Sequence, residues 1–321
     1  MKLYGVTTDF HRMPEDIAKT VSDNVHRMCN QPAGGRLRFR TDSEKIGIKA
    51  YLLDSCMNSG IDVLSDGIYC GKVRSWTDED NDKYYEGELS LLPSDGTGIG
   101  KMRDVTVFLP RVVHVDKIVI SLDDNAEVLP CTPYKIEKPI VWYGSSITHG
   151  GSSNSPSKCY VALVSEMLGA NHINLGFGGS AKAEKEMAEY IATLDMTAFI
   201  MDYEHNSSNA EELRRTHKPF FDIIRKAQPD LPIMIISRPD VDGDYVNCCK
   251  TRRIIMDTFH NALDNGDTKV DFIDGFYLWE NYDRQTCTDD GCHPNEKGFA
   301  RMADTTFPRL QAFLKRCGID C

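Results

Sequence analysis

The sequence predicts an α/β protein in two parts. A β-sandwich of jelly-roll-like type is expected over residues 1–132, and a three-layer α/β/α domain with a five-stranded parallel sheet over 133–321. Three observations carry this expectation. The chain has 321 residues, more than one small module needs, which suggests two domains. Its hydrophobic pattern changes period near residue 132. Its usage is that of a globular protein, 41% hydrophobic and 26% charged, which excludes a disordered or collagen-like chain.

Before residue 132, short β-rich runs alternate with turn residues. The runs are GIKAYLLDS (47–55), IDVLSDGIYCGKVRSW (61–76), YYEGELSLL (84–92), DVTVFLP (104–110) and DKIVISL (116–122). Between them lie NSG, SDG, DEDND and PSDGTGIG. Many short strands with turn signals at intervals of roughly ten residues fit a sandwich. Helical spacing is confined to 14–29. After residue 132, apolar strands alternate with amphipathic helices. The strands are PIVWYGS (139–145), HINLGF (172–177), AFIMDY (198–203), PIMIISRP (232–239) and VDFIDGF (270–276); the helices span roughly 158–169, 182–194, 209–228, 247–264 and 295–316. Phe220, Ile223, Ile224 and Ala227 form one apolar stripe at helical spacing. Continuously apolar strands separated by helices imply a parallel sheet covered on both faces.

Charge and segment composition narrow the classes of partner. Lysine plus arginine number 37 and aspartate plus glutamate 48, a formal charge of −11. Such a chain is a poor electrostatic match for nucleic acid or an anionic membrane. No apolar run approaches the roughly 18–20 residues that cross a bilayer, and the start MKLYGVTTDFHRMPEDIAK lacks the apolar stretch of a signal peptide. Eleven cysteines are scattered without zinc-site spacing. Reduced thiols and a cytoplasmic location are therefore expected. Neither a cofactor nor a metal is expected, and homo-oligomerisation is left open.

In parallel α/β sheets, function gathers at the carboxyl ends of the strands. The first strand ends in Gly144-Ser145-Ser146-Ile147-Thr148-His149-Gly150. Glycine before a serine pair at a strand-to-helix junction can lift a hydroxyl onto the start of a helix, where free N–H groups favour developing negative charge. The same cluster also reads as a plain turn. The second strand ends in Asn174-Leu175-Gly176-Phe177-Gly178-Gly179-Ser180. The spacing is not that of a dinucleotide loop, and no strand-ending acid follows at the required distance. An N–H at Gly179 open to an oxyanion, or a tight turn, are the two readings. The third strand ends in Asp202-Tyr203-Glu204-His205-Asn206; Asn206 can donate its amide to an oxyanion, and His205 serves equally as a structural histidine. The last block is Thr288-Asp289-Asp290-Gly291-Cys292-His293-Pro294-Asn295. Aspartate three residues before histidine on a loop lets a carboxylate reach Nδ1 and leaves Nε2 free as a base.

Taken as a set, these blocks resemble the SGNH (GDSL-type) hydrolase superfamily over roughly 136–321. GSSIT matches its first block with Ser145 in place of the usual aspartate. NLGFGG matches the second and DGCHP the last, while DYEHN replaces the usual G-x-N-D of the third. The first half, including GIDVL (60–64), more loosely resembles the sandwich that precedes the catalytic domain in bacterial members similar to carbohydrate acetylesterases. The resemblance implies a serine esterase working through an acyl-enzyme. Ser146 is the implied nucleophile, His293 the base, and Asp290 its orienting carboxylate. The N–H groups of Ser146 and Gly179, with Asn206, are the implied oxyanion donors.

The implied substrate is a short-chain ester, acetyl above all, on a small molecule or an oligosaccharide. Gly150–Ser157 reads as a flexible lip beside the nucleophile, and Tyr203, Arg238 and Trp279 are candidates to line the cleft. Two other readings stay open at this stage. Asp202, His205, Asp290 and His293 can ligate a metal for hydrolysis, or the chain binds carbohydrate without catalysis.

Overall fold

The computed structural model describes residues 1–54, 60–77, 83–93 and 96–321. The turn DEDND, and parts of NSG, PSDGTGIG and the run 47–55, lie outside the described residues. The first half holds β1 (Lys2–Tyr4), α1 (Glu15–Val21), α2 (Asp23–Cys29), β2 (Arg36–Thr41), β3 (Lys45–Leu52), β4 (Ile61–Ser65), β5 (Ile68–Thr77), β6 (Lys83–Ser90), β7 (Arg103–Phe108), β8 (Val115–Leu122) and β9 (Val128–Leu129). The strands pair antiparallel in the order β1-β2-β7-β4-β5-β6-β3-β8, with β9 on β2. The sheet folds over at β5, whose first part (Ile68–Val73) pairs with β4 and whose last part (Arg74–Thr77) pairs with β6. Two layers result. Phe39, Val63 and Val107 of one meet Ile46, Ile48 and Tyr85 of the other in a single core. Ile46, Ile48 and Ala50 alternate with less buried neighbours along β3, the period-two pattern of a half-buried strand.

The second half runs β10 (Ile136–Gly144), α3 (Ser146–His149), α4 (Tyr160–Leu168), β11 (Ala170–Gly176), α5 (Lys185–Ala192), β12 (Ala198–Asp202), α6 (Ala210–Ala227), β13 (Ile233–Ile236), α7 (Tyr245–Asp264), β14 (Val270–Ile273) and α8 (Glu296–Arg316). Its five strands are all parallel, in the order β11-β10-β12-β13-β14. Alternate residues of one strand feed opposite cores. On β10, Val141 and Tyr143 face the layer holding α5, α6 and α7. Ile140 and Trp142 face the layer holding α4 and α8. This is the three-layer α/β/α arrangement that the change of period predicts. The apolar runs at 232–239 and 270–276 leave the sheet early, because Ser237 and Asp274 already turn into loops.

The segment 14–29 forms two helices, not one. Ser22 is fully extended, with φ −173°, and its hydroxyl accepts the Val25 N–H at 3.2 Å, which starts α2. Ala18, Val25 and Met28 are buried with Val141, Phe177 and Met187. The two helices of the N-terminal segment thus complete a core of the α/β layer rather than that of the sandwich.

From β10 the chain passes to β11 on one side and later to β12 on the other. The carboxyl end of β10 is therefore the point where strand order reverses, the expected place for a crevice.

Candidate active site

At the end of β10 the chain must turn sharply against its neighbours. A Cβ on Gly144 would lie 2.0 Å from the Thr148 hydroxyl and 2.3 Å from the Asp202 carbonyl; one on Gly176 would lie 2.2 Å from the His149 nitrogen. Glycine at both positions lets α3 sit down between β11 and β12. Ser145 is buried and caps α3, its hydroxyl accepting the Ile147 N–H at 3.2 Å. Ser146 follows and is only half-buried. The two serines thus divide into one that holds the turn and one whose hydroxyl looks outward.

The Ser146 Oγ lies 2.9 Å from His293 Nε2, although 147 residues separate them. His293 Nδ1 lies 2.6 Å from Asp290 Oδ2. With its Nδ1 proton donated to the carboxylate, the imidazole offers a bare Nε2 to the serine hydroxyl. Asp290 Oδ1 accepts three more bonds, from the N–H of Cys292 at 2.9 Å, the N–H of His293 at 2.7 Å and the Thr288 hydroxyl at 3.1 Å. Burial alone would raise the Asp290 pKa. The bonds from the His293 ring and the two N–H groups outweigh it and hold the carboxyl well below its ordinary range. The acid stays ionised wherever a histidine can titrate.

Gly178, in the loop after β11, lies against Ser146: a Cβ there would stand 3.3 Å from the serine Cβ. Gly179 adopts φ +70°, and its N–H donates to Asn206 Oδ1 at 3.1 Å. Asn206 Nδ2 donates to the Phe177 carbonyl at 2.9 Å. Asn206 is thereby fixed over the loop that flanks Ser146, and the second proton of its amide is not used by these bonds.

Two of the three cleft candidates are placed otherwise. Tyr203 is 1% exposed; its ring lies among Tyr143, His217 and Phe220, and its hydroxyl bonds Thr216 at 3.0 Å. Trp279 is 1% exposed in the core beneath α8. Both point into a helix layer rather than toward the crevice, a choice that position at a strand end does not reveal. Arg238 forks onto its neighbour Asp240, with Nε to Oδ1 at 2.9 Å and a second bond at 2.5 Å. The proposed metal set does not converge either. Asp202 turns inward to Thr148 and Tyr160, His205 bonds Asp240, and Asp290 bonds His293.

The lip Gly150–Ser157 is tied down from the sandwich. Buried Arg111 donates to the carbonyls of Gly150 and Ser153. Asp62 Oδ2 accepts the N–H of Ser157 at 3.0 Å and its hydroxyl at 2.6 Å. Burial raises the Asp62 pKa, and Ser157 opposes the rise. The signal was present in GIDVL, a lone acid within an apolar strand. Ser152 adds a bond to the Pro294 carbonyl at 2.6 Å, next to His293.

Residues 137–311, more than half of the chain, match the family model described as GDSL-like lipase/acylhydrolase. The chain belongs to that family. Residues 3–128 match the model for the N-terminus of SGNH-hydrolase-type esterases. Among solved structures, a protein of GDSL-like lipase type from Bacteroides ovatus ATCC 8483 is similar at 27% identity with a TM-score of 0.85, over 98% of this chain and 96% of that one. The salicylyl-acyltransferase SsfX3 from a tetracycline biosynthetic pathway shares the fold at 22% identity and TM-score 0.76, over 97% and 94%. A family two carbohydrate esterase from Clostridium thermocellum does so at 14% and 0.62, over 89% and 96%. No significant match is found among curated protein sequences.

Proposed function

We propose that the protein is a serine esterase that removes short acyl groups, acetyl above all, from carbohydrate esters. The observation that carries the reading is the unbroken line Ser146 Oγ–His293 Nε2–His293 Nδ1–Asp290, with contacts of 2.9 and 2.6 Å. In this reading Ser146 attacks the ester carbonyl while His293 takes its proton. The tetrahedral intermediate collapses, and the alcohol leaves with that proton. Water, deprotonated by His293, then attacks the acyl-serine and releases the acid. Asn206 and the N–H groups of Ser146 and Gly179 face the oxyanion; the Gly179 N–H turns from Asn206 Oδ1, or is shared with it, when the charge forms.

The preference for a small acyl group on a sugar has narrower support. The nucleophile's lip is short, rich in serine and tied down by Arg111 and Asp62. Fold relatives include family two carbohydrate esterases and an acetyl xylan esterase from the rumen bacterium Butyrivibrio proteoclasticus. Rates on p-nitrophenyl esters from acetyl to octanoyl, beside a panel of acetylated oligosaccharides, test both levels. Acetyl esters should turn over at least as well as octanoyl, with no loss on adding chelator. A steady rise in kcat/KM with chain length would refute the sugar-acetate preference and leave the serine mechanism standing. Collapse with chelator would remove both. The reading of a binding protein without catalysis is disfavoured by the assembled Ser146–His293–Asp290 line.

A further inference from the structure

Three strands that lie side by side, β12, β13 and β14, each send a loop to the same rim. The loop after β12 carries His205 and then Asn206, and the long loop after β14 carries Cys292 and then His293. The loop after β13, the strand between them, carries Asp240. Its carboxylate is 3% exposed. Oδ1 accepts from His205 Nε2 at 2.5 Å and from Arg238 Nε at 2.9 Å, and Oδ2 accepts from the Arg238 guanidinium at 2.5 Å. The Cys292 sulfur stands beside the same carboxylate, within 4.8 Å of its oxygen. One buried acid thus bonds the residue immediately before Asn206 and stands beside the residue immediately before His293.

We propose that Asp240 is a positioning residue, which holds the Asn206 loop and the His293 loop in register over Ser146 through His205 and Cys292. The inference rests on the esterase reading of Ser146 and His293. Burying a carboxylate is costly unless it is paired and hydrogen-bonded, and Asp240 is bonded by His205 and Arg238, with Cys292 of a third loop beside it. Misplacing a reacting group by about 1 Å costs on the order of 10²-fold in rate, so a shared anchor one residue from each group acts on the chemical step. The ligand atoms of His205, Asp240 and Cys292 also lie within 4.8 Å of one another, a spacing open to a metal ion. Arg238 argues for the anchor instead. Its guanidinium already matches the charge of Asp240 across both oxygens, and a cation would have to displace it.

The test uses the full chain and p-nitrophenyl acetate. Asp240→Asn should lower kcat at least tenfold with KM within about twofold. Cys292→Ala should lower kcat several-fold, and Cys292→Ser, which keeps a donor, should recover it to within about twofold of the parent. If Asp240→Asn fails to fold, the Cys292 pair decides. Parent-like kcat in Cys292→Ala, or equal losses in the alanine and serine variants, would overturn the proposal. So would stoichiometric inhibition by zinc chloride that Cys292→Ala abolishes, which would make the cluster a metal site. Ser146→Ala separates the two levels. If it is inactive while Asp240→Asn matches the parent, only the anchor fails; if it retains turnover, the esterase reading fails first.

Discussion

A serine hydroxyl at neutral pH is a weak nucleophile, and what changes it is a base held at bonding distance in the correct tautomer. In the proposed mechanism His293, 2.9 Å from Ser146, is that base, and Asp290 at 2.6 Å fixes its tautomer. Ser146 was legible because it follows an apolar strand, Asp290 and His293 because they stand three residues apart on a loop, and the family resemblance supplied their roles. Asn206 was legible for the same reason as Ser146. Asn206→Ala should lower kcat by about 10²–10³ if it is an oxyanion donor. The check is kcat with the melting temperature held in view, since the same amide also bridges Gly179 and Phe177; an unchanged kcat would remove the role. Tyr203 and Trp279 are buried in the helix layers and do not line the crevice. A residue past a strand end faces either the crevice or a helix layer, and spacing alone does not separate the two.

The carboxyl end of β12 shows how an element supports the site from behind. Asp202 is wholly buried; the Thr148 hydroxyl donates to it at 2.9 Å and the Tyr160 hydroxyl at 2.5 Å. It thereby braces the far side of α3. Burial raises its pKa to about 6, against bonds from Tyr160 and Thr148 that lower it. A carboxyl whose folded pKa lies above its unfolded one favours the folded state most below about 4 and loses that contribution as pH rises through about 6. The span corresponds to on the order of 3 kcal/mol. Asp202→Asn removes this titration. The stability of the parent relative to the variant should therefore fall between pH 4 and pH 7, measured by urea unfolding at each pH. A difference independent of pH would show that Asp202 titrates normally. The partner contacts of this element join positions far apart in the chain, and for that reason no local pattern announced them.

Across the whole molecule, the two halves are clasped by buried arginines from the N-terminal part. Arg12 donates to the carbonyls of Gly176 at 2.5 Å and Met28 at 2.7 Å and lies over the Phe177 ring, 4.5 Å from its centroid. Burial pushes this guanidinium down to about 9. Arg36 donates to Asn171 at 2.8 Å and meets His172 at 3.0 Å. Residues 133–321 alone would lack α1 and α2 and leave part of the α/β core open to water. That fragment should therefore fail to melt cooperatively in calorimetry, and a sharp transition near that of the full chain would contradict the shared core. The change of period near residue 132 revealed the two architectures, but the amphipathic stretch 14–29 carries nothing that says which core it fills. No helix among the described residues is long and apolar enough to cross a membrane.

The central claim is that Ser146 is the nucleophile. Treating the protein with a fluorophosphonate and sequencing the labelled peptide by mass spectrometry tests it most directly, in the parent and in the Ser145→Ala and Ser146→Ala variants. The account predicts one equivalent of label on Ser146, no label and a loss of at least about 10³-fold in p-nitrophenyl acetate turnover in Ser146→Ala, and labelling still at Ser146 in Ser145→Ala. Label on Ser145, or parent-like turnover by Ser146→Ala, would contradict it.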